Sequence, residues 1–179
     1  SGVAGRLTKT LRLAKSGYSA LKGAVRAGKS ADQAARAVRE TAKGAKRTRS
    51  VIKFNPKTGK YYNSATGRFI SSKQIPWPKN NGFITGSKKS QLIPKGEILD
   101  RHGSLKGRFL APAGTPYSKR GIPEGINQYT KYRVLKPIKG DIGITAPVKE
   151  FGSPGGGTQI MTHDSIEKLI REGYIEIIK

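Results

Sequence analysis

Hydrophobic and polar positions divide the chain into three parts. Over residues 1–50, apolar residues recur at helical spacing from Leu7 through Leu11 and Ala14, which predicts two helices rich in Ala, Lys and Arg. Residues 51–74 contain two Thr-Gly pairs, each followed by a basic residue and an aromatic one, a pattern typical of short hairpin strands joined by turns. Residues 75–179 have the composition of a globular domain.

Most segments of this third part predict strands. Apolar and polar residues alternate over 129–136, and shorter strands are predicted at 97–100, in "GRFL" and in the final "YIEII". One helix is predicted in "SIEKLIREG", with Asp164 or Ser165 as its N-cap and Gly173 at its end. The predicted fold class is α+β: a compact, mainly antiparallel β-sheet domain with few helices, preceded by a basic helical extension.

Charge narrows the choice of partners. The chain has 35 Lys and Arg residues against 11 Asp and Glu residues, a net charge of +24, with the highest density in residues 1–50. Such a chain attracts nucleic acid, anionic membranes, acidic proteins or phosphorylated small molecules. The chain has no cysteine, which excludes a disulfide and a thiolate nucleophile. It also has no apolar run long enough to predict a membrane-spanning helix.

Few residues are candidates for acid–base chemistry. The two histidines, His102 and His163, have no evident serine or carboxylate partner, and paired acidic residues are too scarce to predict a metal site. Arginine stands near glycine at Arg101, Arg108 and Arg120, and guanidinium groups suit phosphate or carboxylate ligands. Taken singly, each arginine could equally be a solvated surface charge.

The segment "EFGSPGGGTQIM", residues 150–161, places three consecutive glycines ahead of a Thr-Gln pair. Such a loop is either a flexible connection or a place where a phosphate or sugar approaches the backbone closely. Its spacing is neither that of a Walker loop nor that of a dinucleotide fingerprint.

In their order along the chain, "DRHG", "GRF", "GTPYSKRGIP" and "FGSPGGGTQ" resemble the tuberculosis necrotizing toxin domain family, over about residues 76–178. Members of that family are NAD glycohydrolases. The resemblance implies that residues 75–179 form a toxin domain that hydrolyses NAD to ADP-ribose and nicotinamide. NAD is then the substrate, and neither a cofactor nor a metal is implied. A basic nuclease toxin and a nucleic-acid-binding module stay open as alternatives.

The resemblance also implies roles for individual residues. Arg101 and Gln159 match the catalytic positions of the family. The residues implied to bind substrate are Phe109, Arg120, Gly156, Gly157 and Thr158. Thr130 departs from the pattern, because some members carry histidine there, so a histidine-dependent step cannot be carried over.

Partners and location follow from the same resemblance. A toxin that consumes NAD implies a cognate immunity protein, and the positive charge of the chain favours an acidic one. Residues 1–50 are expected to contact the parent toxin or its delivery machinery. The protein is expected to be secreted or delivered and to act in the cytosol of a target cell. Nucleic acid is not required, and the choice between NAD and NADP stays open.

Overall fold

The computed structural model describes residues 52–179, and the two helices predicted within residues 1–50 lie outside them. A small antiparallel sheet joins three strands in chain order: β1 (Ile52–Asn55), β2 (Lys60–Asn63) and β3 (Phe69–Ile70). The second sheet contains β4 (Lys89–Ile93), β5 (Ile98–His102), β6 (Phe109–Pro112), β7 (Tyr129–Val134), β8 (Ile138–Ile144), β9 (Thr158–Thr162) and β10 (Ile175–Ile178).

The larger sheet has the strand order β10-β7-β5-β6-β9-β8-β4, with every neighbouring pair antiparallel. One α-helix, α1 (Ile166–Arg171), occurs in the described part of the chain, with four short 3₁₀ helices. These are Ser72–Gln74, Asn80–Gly82, Tyr117–Lys119 and Lys149–Phe151. The predicted α+β class with a mainly antiparallel sheet is therefore confirmed for residues 52–179.

Helix α1 begins and ends where the sequence predicts. The Ser165 side chain accepts a hydrogen bond from the Lys168 N–H at 3.2 Å, and Gly173 follows the last turn with a positive φ of 72°. Its buried residues, Ile166 and Leu169, join the main core. The other buried members of that core come from the large sheet: Ile93, Leu99, Leu110, Tyr132, Val134, Ile138, Ile142, Ile160 and Ile175.

Strand β8 was not predicted, because its sequence "IKGDIGI" contains two glycines. Glycine normally weakens a strand, yet here neighbouring chain segments leave no room for a side chain. A Cβ at Gly143 would lie 2.7 Å from Phe83 Cδ1, and one at Gly140 would lie 3.0 Å from the Met161 carbonyl oxygen. Tertiary contacts therefore outweigh local propensity in this strand.

The small sheet confirms the predicted hairpin-like strands of the connecting segment. It packs on the rest of the molecule through a second apolar cluster of Ile52, Ile75, Val148 and Phe151. The Phe54 N–H also donates to the Glu124 carbonyl oxygen at 2.8 Å. Because Phe151 stands just before the glycine loop, the small sheet is packed against the segment that leads into that loop. The domain boundaries themselves stay a prediction.

Candidate active site

An open cleft lies where β5, β6 and β9 meet the segment 115–122. Its empty volume is about 350 Å³, including solvent at its mouth. The cleft brings together five of the seven residues that the sequence singles out; Gly156 and Gly157 are not among its lining residues. The lining consists of Asp100, Arg101, His102, Phe109, Leu110, Ala111, Arg120, Ile122, Thr145, Thr158 and Gln159.

Arg101 lines the cleft from β5 and also supports the loop that follows. Its Nε donates to the Ser104 carbonyl oxygen at 2.8 Å, and its Nη1 donates to the Phe109 carbonyl oxygen at 2.7 Å. The guanidinium packs so closely on Gly107 that a Cβ there would overlap it. Burial lowers the pKa of the Arg101 guanidinium from its ordinary value. Arg101 is thus held in one orientation, with part of its donor set used inside the protein.

Arg120 forms a buried ion pair with Asp100. Its Nη2 lies 2.6 Å from Asp100 Oδ1, with side chains 8% and 0% exposed. This is an ion-pair contact without aligned hydrogen-bond geometry at Oδ1. Arg120 also donates from Nε and Nη2 to the Thr115 carbonyl oxygen, at 3.0 and 2.7 Å. Asp100 Oδ2 accepts from the Gly114 N–H and from the Tyr129 hydroxyl, each at 3.0 Å. Arg120 therefore lines the cleft with its charge already partnered.

Gln159 is the second residue of β9, so it lies in a strand just beyond the glycine loop. Its side chain is buried, and its Nε2 donates to the Asn81 carbonyl oxygen at 2.8 Å. Across the sheet it pairs with Gly143. No hydrogen bond to its Oε1 occurs within residues 52–179, so the amide oxygen is available to a ligand in the cleft.

The three glycines pack against the protein's own backbone. A Cβ at Gly155 would lie 2.6 Å from Ala146 backbone atoms, and one at Gly157 would lie 2.7 Å from the Lys119 carbonyl oxygen. The Gly156 N–H donates to the Thr145 carbonyl oxygen at 2.8 Å, and the Gly157 N–H donates to that of Lys119 at 3.2 Å. Close backbone approach is thus the reason for Gly155 and Gly157, but the approaching backbone belongs to the protein itself.

Phe109 and Thr158 open the two adjacent strands β6 and β9. Phe109 is half-buried and pairs with Met161, and Thr158 is half-buried and pairs with Ile144. These positions place an aromatic ring and a hydroxyl on the cleft lining beside the arginines and Gln159.

His102 also lines the cleft, although sequence reasoning assigned it no role. Its ring lies 4.7 Å from the Tyr117 ring and 4.9 Å from the Tyr129 ring, between centroids. Burial, and then the positive charge of Arg120, lower the pKa of His102 below its ordinary value of 6.5. Its buried Nδ1 has no hydrogen-bond partner among the described residues. Asp100 and His102 flank Arg101 in "DRHG" and lie in the same strand. Their position beside a predicted catalytic residue was the available signal in the sequence.

Two other candidates, Arg108 and His163, are exposed and do not line the cleft. They contact each other at the chain surface, where Arg108 Nη1 lies 3.5 Å from the His163 carbonyl oxygen. Within residues 52–179, no group of three His, Asp or Glu side chains is arranged to hold a metal ion. In the same part of the chain, no helix has the length and apolar character needed to cross a membrane.

The part of the chain that supplies most of this sheet and the lining of the cleft matches a known protein family. Residues 92–178 match the family described as tuberculosis necrotizing toxin. The resemblance inferred from the motifs is thereby confirmed.

A curated relative of this chain is the conidial surface nicotinamide adenine dinucleotide glycohydrolase nadA of Aspergillus fumigatus. The two are 35% identical over 113 residues, which cover 55% of this chain and 47% of the relative. The chain thus spans about half the length of that protein.

Solved structures with a similar shape include Tse6 in complex with Tsi6 and Tne2 in complex with Tni2. Sequence identities are 19% and 16%, with TM-scores of 0.41 and 0.42. The matches cover 60% and 54% of this chain, and 87% and 92% of the other chains. Values this low do not establish a shared function.

Proposed function

We propose that this protein is an NAD glycohydrolase toxin that converts NAD and water to ADP-ribose and nicotinamide. The observation that carries the proposal is the convergence of Arg101, Phe109, Arg120, Thr158 and Gln159 on one cleft. These residues come from two separate segments of the chain, 101–120 and 158–159, and were assigned from family motifs. The family match over 92–178 and the name of the Aspergillus relative support the same activity.

The reaction asks little acid catalysis of the protein. The nicotinamide ring of NAD is already positively charged, so it leaves as a neutral molecule when the bond from its nitrogen to ribose C1′ breaks. Water oxygen bonds to C1′, and one water proton passes to solvent. The site must orient the ribose, stabilise positive charge developing on it, and admit water. A cleft without a strong general acid is therefore adequate.

The residues divide these tasks by their chemistry. The Gln159 amide oxygen can accept a hydrogen bond from a ribose hydroxyl or from the attacking water. Phe109 offers a ring face to the base or to nicotinamide. Donor hydrogens of Arg101 left over from its two loop contacts can bind pyrophosphate oxygens. Arg120 assists chiefly through its charge and by holding Asp100 in place, because its Nε and Nη2 already contact the Thr115 carbonyl oxygen and Asp100. No resident cofactor or metal enters this scheme.

The test is to incubate the protein separately with NAD, NADP, RNA and duplex DNA, and to follow the products. We expect nicotinamide and ADP-ribose from NAD, with the nucleic acids intact. Gln159→Ala serves as the matched inactive variant, so that a contaminating enzyme is recognised. Cleavage of RNA or DNA without NAD turnover would replace the proposal with a nuclease.

A producer of such an enzyme must protect its own NAD, so we extend the proposal to a cognate acidic immunity protein that covers the cleft. The net charge of +24 would speed its encounter, and carboxylates would find lysine and arginine side chains on this protein. Because Debye screening acts within about 8 Å at physiological ionic strength, the association rate should fall steeply as salt rises. An association rate that does not change with salt would contradict an acidic partner.

Residues 1–50 belong, in this proposal, to delivery rather than to chemistry. They would contact the parent toxin or its delivery machinery, and the enzyme would act in the cytosol of the target cell. A chain starting at Val51 should therefore hydrolyse NAD at the rate of the full chain. It retains Ile52, which packs in the second apolar cluster. A folded but inactive truncated protein would show that the first 50 residues take part in the chemistry.

A further inference from the structure

The turn at Lys79–Phe83 holds one end of the Gln159 amide. The only group of this turn that Gln159 bonds is the Asn81 carbonyl oxygen, which accepts from Nε2 at 2.8 Å. A carbonyl can only accept, so this contact assigns the nitrogen of the amide to Asn81 and leaves the oxygen for the cleft. The turn lies outside residues 92–178, the part that matches the family.

The backbone of the turn is unusual. Asn80 and Asn81 both have a φ of 53°, and Gly82 follows with 79°. Left-handed backbone is disfavoured for residues with a side chain, and asparagine is among the few that tolerate it. Asn81 is exposed, so its side chain does not pack in the core. The demand on residue 81 is therefore conformational.

The turn is fastened to the strand that pairs with β9. The Ala146 N–H donates to the Gly82 carbonyl oxygen at 2.7 Å, and the Ile84 N–H donates to that of Ile144 at 2.8 Å. Asn80 closes the turn on itself, because its Nδ2 donates to the Phe83 carbonyl oxygen at 3.2 Å. Phe83 is 2% exposed and packs over Gly143, the residue paired with Gln159. The Asn81 carbonyl is thus held in place at several points.

We propose that the left-handed turn Asn80–Gly82 is a positioning device for Gln159, and that Asn81 is its positioning residue. By binding Nε2, the Asn81 carbonyl keeps Oε1 turned to the ribose or the attacking water. The proposal rests on the proposed NAD glycohydrolase function, but its structural part is measurable without activity. Strain in the turn is retained because it places an acceptor where the amide needs one.

The experiment compares Asn81→Ala with Asn81→Gly, since both remove the same exposed side chain. Alanine resists a positive φ, whereas glycine adopts it freely, so the glycine variant should stay within about twofold of the parent kcat. The alanine variant should lose about 10- to 100-fold in kcat with KM little changed, because a small misplacement of a catalytic group is costly. Asn127→Ala, at an exposed asparagine without a positive φ, is the control and should behave as the parent.

The second measurement is the ¹⁵N side-chain amide signal of Gln159 and its hydrogen exchange. Asn81→Ala should shift this signal and speed its exchange, and Asn81→Gly should leave both as in the parent. If the parent does not cleave NAD, the proposed function fails, and the amide signal still decides whether the turn orients Gln159. Should Asn81→Ala not fold, Asn80→Ala and Asn80→Gly are compared with each other: both lose the hydrogen bond to the Phe83 carbonyl oxygen, so any difference between them reports the positive φ at residue 80.

Two results would overturn the proposal. In the first, Asn81→Ala keeps the parent kcat and an unchanged Gln159 signal. In the second, Asn81→Gly loses as much as Asn81→Ala, which would mean that the asparagine side chain, and not the backbone of the turn, is required.

Discussion

Two parts of the cleft lining differ in how many of their polar atoms are already bonded to other groups of the protein. Arg101 and Arg120 are bonded to loop carbonyls and to buried Asp100, so they hold the cleft together as well as line it. Gln159 has only one end of its amide engaged, by Asn81. We infer that the arginines contribute to both stability and ligand binding, whereas Gln159 contributes mainly to chemistry. Substitutions can separate these contributions.

The largest effect on stability is expected for Arg120→Ala. This change leaves Asp100 buried with its charge uncompensated, which should lower the free energy of unfolding by about 3–5 kcal/mol. Arg133→Ala is the control, since its pair with Glu176 is about half exposed and should cost at most about 1 kcal/mol. Urea unfolding measures both. Equal losses would contradict the structural role of Arg120.

Gln159→Ala should lower activity much more than stability, whereas Arg120→Ala should have its main effect on stability. We expect NAD turnover to fall by at least about 100-fold, as when a preorganised polar group is removed from an active site. The free energy of unfolding should fall by only about 1 kcal/mol, because a single hydrogen bond to Asn81 is lost. Gln128→Ala, at an exposed position, is the control. Parental turnover in a folded Gln159→Ala protein would remove Gln159 from the mechanism.

Arg101→Lys tests whether activity requires the planar guanidinium group of Arg101 or only its positive charge. Lysine keeps the charge but cannot reproduce the two contacts from Nε and Nη1, and each charge-assisted bond is worth about 1.5–3 kcal/mol. We expect kcat/KM and the melting temperature to fall together. Arg108→Lys, outside the cleft, should change neither. A fully active Arg101→Lys enzyme would show that bidentate geometry is unnecessary.

The smallest effect concerns pH and His102. Its pKa is lowered in the folded protein by burial and then by the charge of Arg120, while the Ile126 backbone and then the charge of Asp100 act in the opposite direction. The unfolded chain therefore binds a proton first as pH falls below about 6.5. The corresponding stability is complete above that pH and is lost as pH falls through the folded pKa.

His102→Phe should flatten this part of the stability profile, measured by urea unfolding between about pH 7.5 and 5. The phenyl ring preserves the contacts with Tyr117 and Tyr129. His163→Gln, at an exposed site, should keep the slope of the parent. An unchanged slope in His102→Phe would show that another group causes the pH dependence.

Sequence patterns were sufficient to predict an element when the signals for it lie within the element itself. Capping and spacing predicted α1, because Ser165, Ile166 and Gly173 act within two turns of one helix. Alternation predicted β7, whose Tyr132 and Val134 are fully buried. Family motifs predicted the five residues that line the cleft together. Each of these signals lies in a short stretch of sequence, so it can be recognised without knowing which segments pack against it.

Contacts between distant segments could not be read in this way. The sequence alone determined the net positive charge, the mainly antiparallel class, helix α1 and the candidates Arg101 and Gln159. Only the tertiary structure decided that Arg120 pairs with Asp100, that Gly155 and Gly157 lie against the protein's own backbone, and that Asn81 binds Gln159 from 78 positions away. The physical reason is that burial and hydrogen-bond partners depend on which strands lie side by side, and local sequence does not specify that arrangement.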